Sequence, residues 1–131
     1  MGIVDFFRSF KSNFSNEIYY YEDADSKKQN KYQLNSYEKT FLDGLKTVLL
    51  NNRINKNIRY GFLSNGTMYV CLDGIGQIGR VKLRGRKFRM QIMHMSDHFE
   101  NQLDVTWIEN ITFDECIVNI SRWIDFVKNQ K

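Results

Sequence analysis

Six cations and no acids lie between residues 75 and 95, in the stretch IGQIGRVKLRGRKFRMQIMHM. Residues 1–74 hold ten cations against eight acids, and residues 96–131 hold three against seven. Clustered like charges repel one another, so their concentration favours a partner rich in negative charge. Four of the six are arginines, whose planar guanidinium groups bind phosphate and carboxylate bidentately. We expect a nucleic acid, or an acidic protein or nucleoprotein surface, to be contacted by Arg80, Lys82, Arg84, Arg86, Lys87 and Arg89.

The alternative interpretation of this stretch is a solvated face of an antiparallel sheet. Such sheets commonly bury one face and expose the other, and lysine and arginine keep the exposed face soluble. The charge pattern alone leaves both interpretations open.

Patterns typical of enzymes are incomplete in this chain. A nuclease of the PD-(D/E)xK type needs an acid on one strand and, on the next, a second acid followed by any residue and then a lysine. Here the run that follows Asp73 is Arg80-Val81-Lys82, which lacks the second acid. The run Gly74 to Gly79 matches G-x-G-x-x-G, yet no predicted helix follows to present its N-terminus to a phosphate. The sequence therefore predicts a non-enzymatic protein without a cofactor.

A metal site is the next alternative. His94 and His98 lie four residues apart, with Asp97 and Glu100 nearby. The two-histidine spacing suits a helix, whereas this stretch is predicted to be a strand that runs into a loop. We therefore predict no metal site, and we expect His94 to pack on the apolar side of its strand.

The two cysteines, Cys71 and Cys116, each lie in an apolar run without a CxxC or a Cys/His neighbour. This environment predicts buried free thiols with a structural role.

The first 35 residues divide into two segments. Apolar residues at helical spacing between Ile3 and Phe14 predict an amphipathic helix over 1–14, with Asp5 and Arg8 arguing against a signal peptide. Residues 15–35 are predicted to be a polar loop or linker, in which Ile18 to Tyr21 has the composition of a short strand. No run approaches the roughly 18 apolar residues of a membrane span, so no span is expected. The argument against a signal peptide predicts a cytoplasmic protein, and we expect no membrane partner.

Residues 36–131 have the pattern of an α+β core within a single domain over 1–131. Ser36 is a candidate N-cap for a helix that reaches about Asn52, and Ser64-Asn65-Gly66 is a typical hairpin turn between Ile58–Leu63 and Thr67–Leu72. Gly76 to Met95 predicts a second hairpin around Gly85, with apolar and basic residues on opposite faces.

The end of the chain is predicted to contain one more strand and a closing helix. Leu103 to Ile108 has the strand pattern, and Thr112 to Glu115 has the T-x-x-E pattern of a capping box. The chain therefore predicts an α+β fold, with an antiparallel sheet of four or five strands and N-terminal helices and a C-terminal helix on one face.

The order of these elements resembles that of ribosome-dependent RNase toxins of the RelE type. This resemblance implies an RNase whose chemistry uses arginine, lysine and tyrosine or histidine rather than a metal, with Arg80, Lys82, Arg89 and His94 as the matching residues. The chain is longer than is usual for that family and ends in a long helix, so this is the alternative function.

The tail, from IGRVKLRGRKFRMQIM to DVTWIENITFDECIVNISRWIDFVKNQK, resembles small uncharacterised proteins of phages and mobile elements of low-GC Gram-positive bacteria. The resemblance covers under half of the chain. It implies a setting in which inhibitors of host defence, such as anti-CRISPR proteins, are common. The expected function is a binding module that uses its basic hairpin on nucleic acid or a nucleoprotein, as an inhibitor of a bacterial defence nuclease.

Overall fold

The computed structural model describes residues 19–21, 33–95 and 103–130. In these ranges the chain forms six strands: β1 Tyr19–Tyr21, β2 Ile58–Phe62, β3 Met68–Leu72, β4 Gly76–Lys82, β5 Phe88–Met95 and β6 Leu103–Ile111. It also forms three helices: α1 Ser36–Asn51, α2 Phe113–Val118 and α3 Ile120–Lys128. No helix within the described ranges has the length and apolar character needed to cross a membrane.

The six strands form one sheet in chain order, from β1 at one edge to β6 at the other. Strands β2 to β6 are antiparallel, and β1 pairs with β2 in parallel. The predicted α+β class and the predicted antiparallel sheet are confirmed. The added parallel strand falls on the tyrosine run for which the sequence allowed a short strand.

All three helices contribute to covering one face of the sheet, which we call the helix face. The α3 helix packs on β4 and β5, α2 packs on β5, and α1 packs on α2 and α3. Trp123 of α3 lies against Gly79 of β4, and its indole Nε1 donates a hydrogen bond of 2.7 Å to the backbone oxygen of Gln91. The Phe41 ring of α1 packs edge-on against the Trp123 ring, with 5.2 Å between the ring centroids. These contacts place the apolar core between the helices and the sheet.

Helix α1 begins one residue earlier than the sequence indicates. Its N-cap is Asn35, whose side chain accepts from the Glu38 backbone N–H while Glu38 accepts from the Asn35 backbone N–H. Ser36, the predicted cap, is the first helical residue, because Asn35 with Glu38 completes a reciprocal capping box.

The capping box predicted at Thr112 and Glu115 is present, with bonds of 2.9 and 3.1 Å. The single closing helix predicted after it is instead divided at Asn119. The Asn119 side chain donates to the Glu115 carbonyl, and the Ser121 hydroxyl donates to the Val118 carbonyl. Polar side chains that bond to nearby backbone carbonyls compete with regular helix hydrogen bonds, which accounts for the break.

Three sequence predictions lie outside the described residues. They are the helix over 1–14, most of the polar segment 15–35, and the positions Asp97, His98 and Glu100.

Candidate nucleic-acid interface

The side of the sheet opposite the helices carries three of the six predicted contact residues, Arg80, Lys82 and Arg89. Side chains alternate across a strand, and directly paired residues share a face, so the register assigns each position. Val81 pairs with Met90 on the helix face, where both are fully buried. Their neighbours Lys82 and Arg89, which pair with each other, therefore lie on the opposite face.

The same register extends this face over four strands. Tyr69 of β3 pairs with Arg80 of β4, and Gln91 of β5 pairs with Trp107 of β6. We call this surface the basic face and define it by six residues: Tyr69, Arg80, Lys82, Arg89, Gln91 and Trp107. Most of these side chains are partly buried, and Gln91 is buried.

The pairing of Lys82 with Arg89 places two cations directly opposite each other in the centre of the sheet. Like charges at opposed positions on neighbouring strands destabilise the sheet. Glu109, the β6 partner of Arg89, offsets part of this repulsion through an ion pair of 3.6 Å between its carboxylate and the guanidinium. Lys82 has no such ion pair among the residues that the structure describes.

Trp107 and Arg89 form a stacked pair on the basic face. The guanidinium carbon of Arg89 lies 4.3 Å from the centroid of the Trp107 ring, well within the range of a cation–π contact. This contact orients both groups before any partner binds.

Tyr69 lies across the neighbouring strand. A Cβ atom at Gly61 of β2 would come within 2.4 Å of the Tyr69 ring and closer still to its hydroxyl oxygen, so the tyrosine occupies the space of the missing side chain. Gly61 and Tyr69 are directly paired in the register. The glycine therefore allows the ring to lie against the sheet.

Three polar atoms on the basic face are buried without a hydrogen-bond partner among the described residues. They are Arg80 Nε, Arg89 Nε and Gln91 Oε1. A buried polar group without a partner costs free energy, and folded proteins keep few of them. All three lie on the basic face, whereas the polar groups of the α1 and α2 N-caps are hydrogen-bonded.

Arg59, near the edge of the same side, belongs to a separate cluster. Its Nε donates to Asp73 at 2.5 Å, and the Asn57 side chain donates to the other oxygen of that carboxylate. These bonds lower the pKa of Asp73. Arg59 therefore already has an acidic partner and is not assigned to the site.

Arg84 differs most from the sequence prediction. It was expected to point away from the core with the other cations, but it forms a bidentate pair with the fully buried Glu38, at 2.9 and 2.8 Å. The same guanidinium donates to the backbone oxygen of Gln33 and lies 5.1 Å from the Phe62 ring centroid. Arg84 thus joins the β4–β5 turn to the start of α1, and we remove it from the candidate site.

Arg86 and Lys87 occupy the rest of that turn and are exposed. They extend the positive charge of the basic face beyond the ends of β4 and β5. No ion pair is found for either within the described part of the chain.

His94 lies on the helix side of β5, as its alternation with Met90 and Ile92 predicts. It is exposed, however, so the expectation that it packs in the core is wrong. It lines a groove of about 360 Å³ between β5, β6 and α3, together with Ile92, Met93, Thr106, Arg122, Asp125, Phe126 and Asn129. The strand extends past the apolar cover of α3 at this point, which leaves the imidazole accessible.

The sheet therefore separates His94 from the cations that the RNase interpretation combines with it. Arg80, Lys82 and Arg89 lie on the basic face, and His94 lies on the other side. Among the described residues no group of three histidine, cysteine or acidic side chains is arranged to hold a metal ion.

The sequence did not identify Tyr69 or Trp107 as site residues. Both were recognised as strand residues, but their face depends on registers that composition does not reveal. One signal was available for Tyr69, because Gly61 interrupts the apolar strand directly across the predicted hairpin.

No family model, curated protein or solved structure matches this chain.

Proposed function

We propose that this protein is a non-enzymatic binding module that contacts the phosphates of a nucleic acid, or of a nucleoprotein, through the basic face and the adjoining turn. The observation that carries the proposal is the opposition of Lys82 and Arg89 at the centre of the sheet. This arrangement works against folding, and a polyanion bound across it would relieve the repulsion. Arg80, Arg86 and Lys87 supply further positive charge beside that pair.

The biological setting that we propose is inhibition of a bacterial defence nuclease encoded by the host of a phage or mobile element. It is supported by the resemblance of the tail and by the basic face, which suits guide RNA, target DNA or an acidic protein surface. The inhibitor would act in the cytoplasm at about one molecule per target complex and would not arrest growth when expressed alone.

The binding proposal is tested with the double variant Arg80→Glu/Lys82→Glu and labelled DNA and RNA in fluorescence anisotropy. The matched control is Lys39→Glu/Lys128→Glu, which changes the net charge equally at exposed helical positions. We expect the first variant to lose binding and the control to retain most of it. Equal losses would indicate that only net charge matters and would contradict a defined interface.

The salt dependence tests how many cations contact phosphates. Each phosphate neutralised on B-DNA contributes about −0.9 to the slope of log K against log salt, so three sheet cations predict a slope of about −3. Participation of Arg86 and Lys87 would bring the slope to about −4.5 by the same rule. A flat salt response would contradict direct binding to nucleic acid.

A further inference from the structure

We infer that the basic face binds a single-stranded nucleic acid in preference to a duplex, with bases stacked at Trp107 and Tyr69. This inference rests on the proposed function and specifies its ligand. It depends on three observations: the position of the cations in the sheet, the aromatic groups beside them, and the distance between those groups.

The position of the cations disfavours entry into a duplex groove. Arg80, Lys82 and Arg89 lie on β4 and β5, which have β3 and β6 on either side. Neighbouring strands are about 4.8 Å apart, so the surface from β3 to β6 spans roughly 14 Å before side chains are added. The major groove is about 12 Å wide and admits a helix or a two-stranded ribbon. The centre of a broad sheet therefore meets only the outer phosphates of a duplex.

The aromatic groups provide a surface on which unpaired bases can stack. A single strand has such bases, whereas the bases of a duplex are already paired and stacked. Unstacked bases pack on aromatic rings and on arginine guanidinium planes. Trp107 and Arg89 already form one such stack, at 4.3 Å. Tyr69, held over Gly61 and paired with Arg80, places a second ring beside a second cation.

The separation of the two rings favours an extended strand. Tyr69 and Trp107 lie on β3 and β6, three strand spacings apart, or roughly 14 Å. Successive bases in a helical strand rise by only about 3.4 Å. About four such steps would span the separation, but the bases of a stacked strand cover one another's faces. A strand that places bases on both rings while its phosphates cross Arg80 and Lys82 must therefore be splayed, which an unpaired strand permits.

The test compares a 12-nucleotide single strand of dT or rU with a 12-base-pair duplex at equal salt. We expect the single strand to bind at least tenfold more tightly. Trp107→Ala should weaken single-strand binding about tenfold or more, and Trp107→Tyr should restore most of it, because a base stacks on either ring. Duplex affinity should change less than twofold in both variants. Val105→Ala, on the same strand and face, is the control.

Thermal unfolding of each variant separates loss of the ring from loss of the fold. Tyr69→Leu is a second test variant that leaves the Arg89–Trp107 contact intact. It should also weaken single-strand binding while duplex binding changes little. Equal affinity for single strand and duplex, or equal loss of both in Trp107→Ala, would overturn this inference and leave the proposed phosphate binding intact. Absence of binding to either ligand would overturn both.

Discussion

Arg84 and Glu38 lie 46 positions apart in the chain and form a bidentate ion pair at 2.9 and 2.8 Å. Glu38 is fully buried, while the Arg84 side chain keeps a quarter of its surface exposed. The pair connects the turn after β4 to the capping box of α1, where Glu38 also accepts from the Asn35 backbone N–H. One carboxylate therefore fixes both the start of a helix and its position on the sheet.

Removing Arg84 should destabilise the protein. We expect Arg84→Met to lower the free energy of unfolding by about 3 kcal/mol, because it leaves a buried carboxylate without its charged partner. Arg84→Met/Glu38→Leu should lose much less than the sum of the two single variants. Urea unfolding of the four proteins measures the coupling. Additive losses would contradict a direct interaction.

The stability contribution of Glu38 should depend on pH. Burial raises its pKa above the usual value, against the opposing effects of the Asn35 and Arg84 hydrogen bonds. A carboxyl group with a raised pKa binds more protons in the folded state, so its contribution is fully present below about pH 4.5 and is lost as the pH rises through the folded pKa. The difference in unfolding free energy between the wild type and Glu38→Gln should therefore fall with rising pH. An increase in this free-energy difference with rising pH would contradict a raised pKa for Glu38.

The fit of Trp123 against Gly79 predicts a strong effect of one added methyl group. In Gly79→Ala the new Cβ would lie 2.3 Å from the indole Cε2, so α3 or β4 must shift. We expect a loss of about 2–3 kcal/mol, typical of overpacking a close-packed core.

Gly76→Ala is the matched control for that variant. Gly76 has a φ of +102° and no neighbour within 4 Å, so its cost is limited to backbone strain, about 1 kcal/mol. Chemical unfolding monitored by tryptophan fluorescence compares the two. A smaller loss in Gly79→Ala than in Gly76→Ala would show that the contact is loose.

The thiols should differ in reactivity. Burial, with a smaller contribution from Glu115, raises the pKa of Cys116 to about 12, whereas Cys71 is partly exposed. The thiolate is the reactive form, so Cys116 should react with a disulfide reagent only at the rate of unfolding, and Cys71 should react faster. Cys116→Ser should lower stability by about 1–3 kcal/mol if the hydroxyl lacks a partner. Rapid labelling of Cys116 in the native protein would contradict a structural role.

His94 provides the test of the RNase alternative. Since it lies across the sheet from the basic face, His94→Ala should change nucleic-acid affinity less than twofold, and the wild-type protein should not arrest growth when expressed alone. Growth arrest that disappears in His94→Ala would contradict the binding interpretation and favour the RNase. Viable counts after induction, with RNA integrity at ribosomes, supply the measurement.

Local patterns predicted most of the strands correctly, because alternation and turn chemistry act over a few residues. Ser64-Asn65-Gly66 and Gly85 mark the two hairpin turns that form, and both basic strands were identified. The role of Arg84 was not predictable in this way, because its partner is 46 residues distant. The face of Trp107 depends on a register that shifts between Phe88 and Arg89, opposite Asn110, which has a φ of +55°. The bulge at Asn110 lets Glu109 lie on the basic face and Ile111 on the helix face, so simple alternation counted back from Ile111 would assign Trp107 to the wrong face.

The strands from β2 to β6 follow one another in the sheet as they do in the chain, and each can pair with its predecessor as soon as it leaves the ribosome. The helix face of β4 and β5 does not gain its cover so early, because Trp123 is synthesised 28 residues after Met95. At ordinary elongation rates the nascent sheet therefore exposes its apolar surface for roughly a few seconds. The covering helix α3 is made after every strand of the sheet, so termination of translation before α3 would release a sheet prone to self-association.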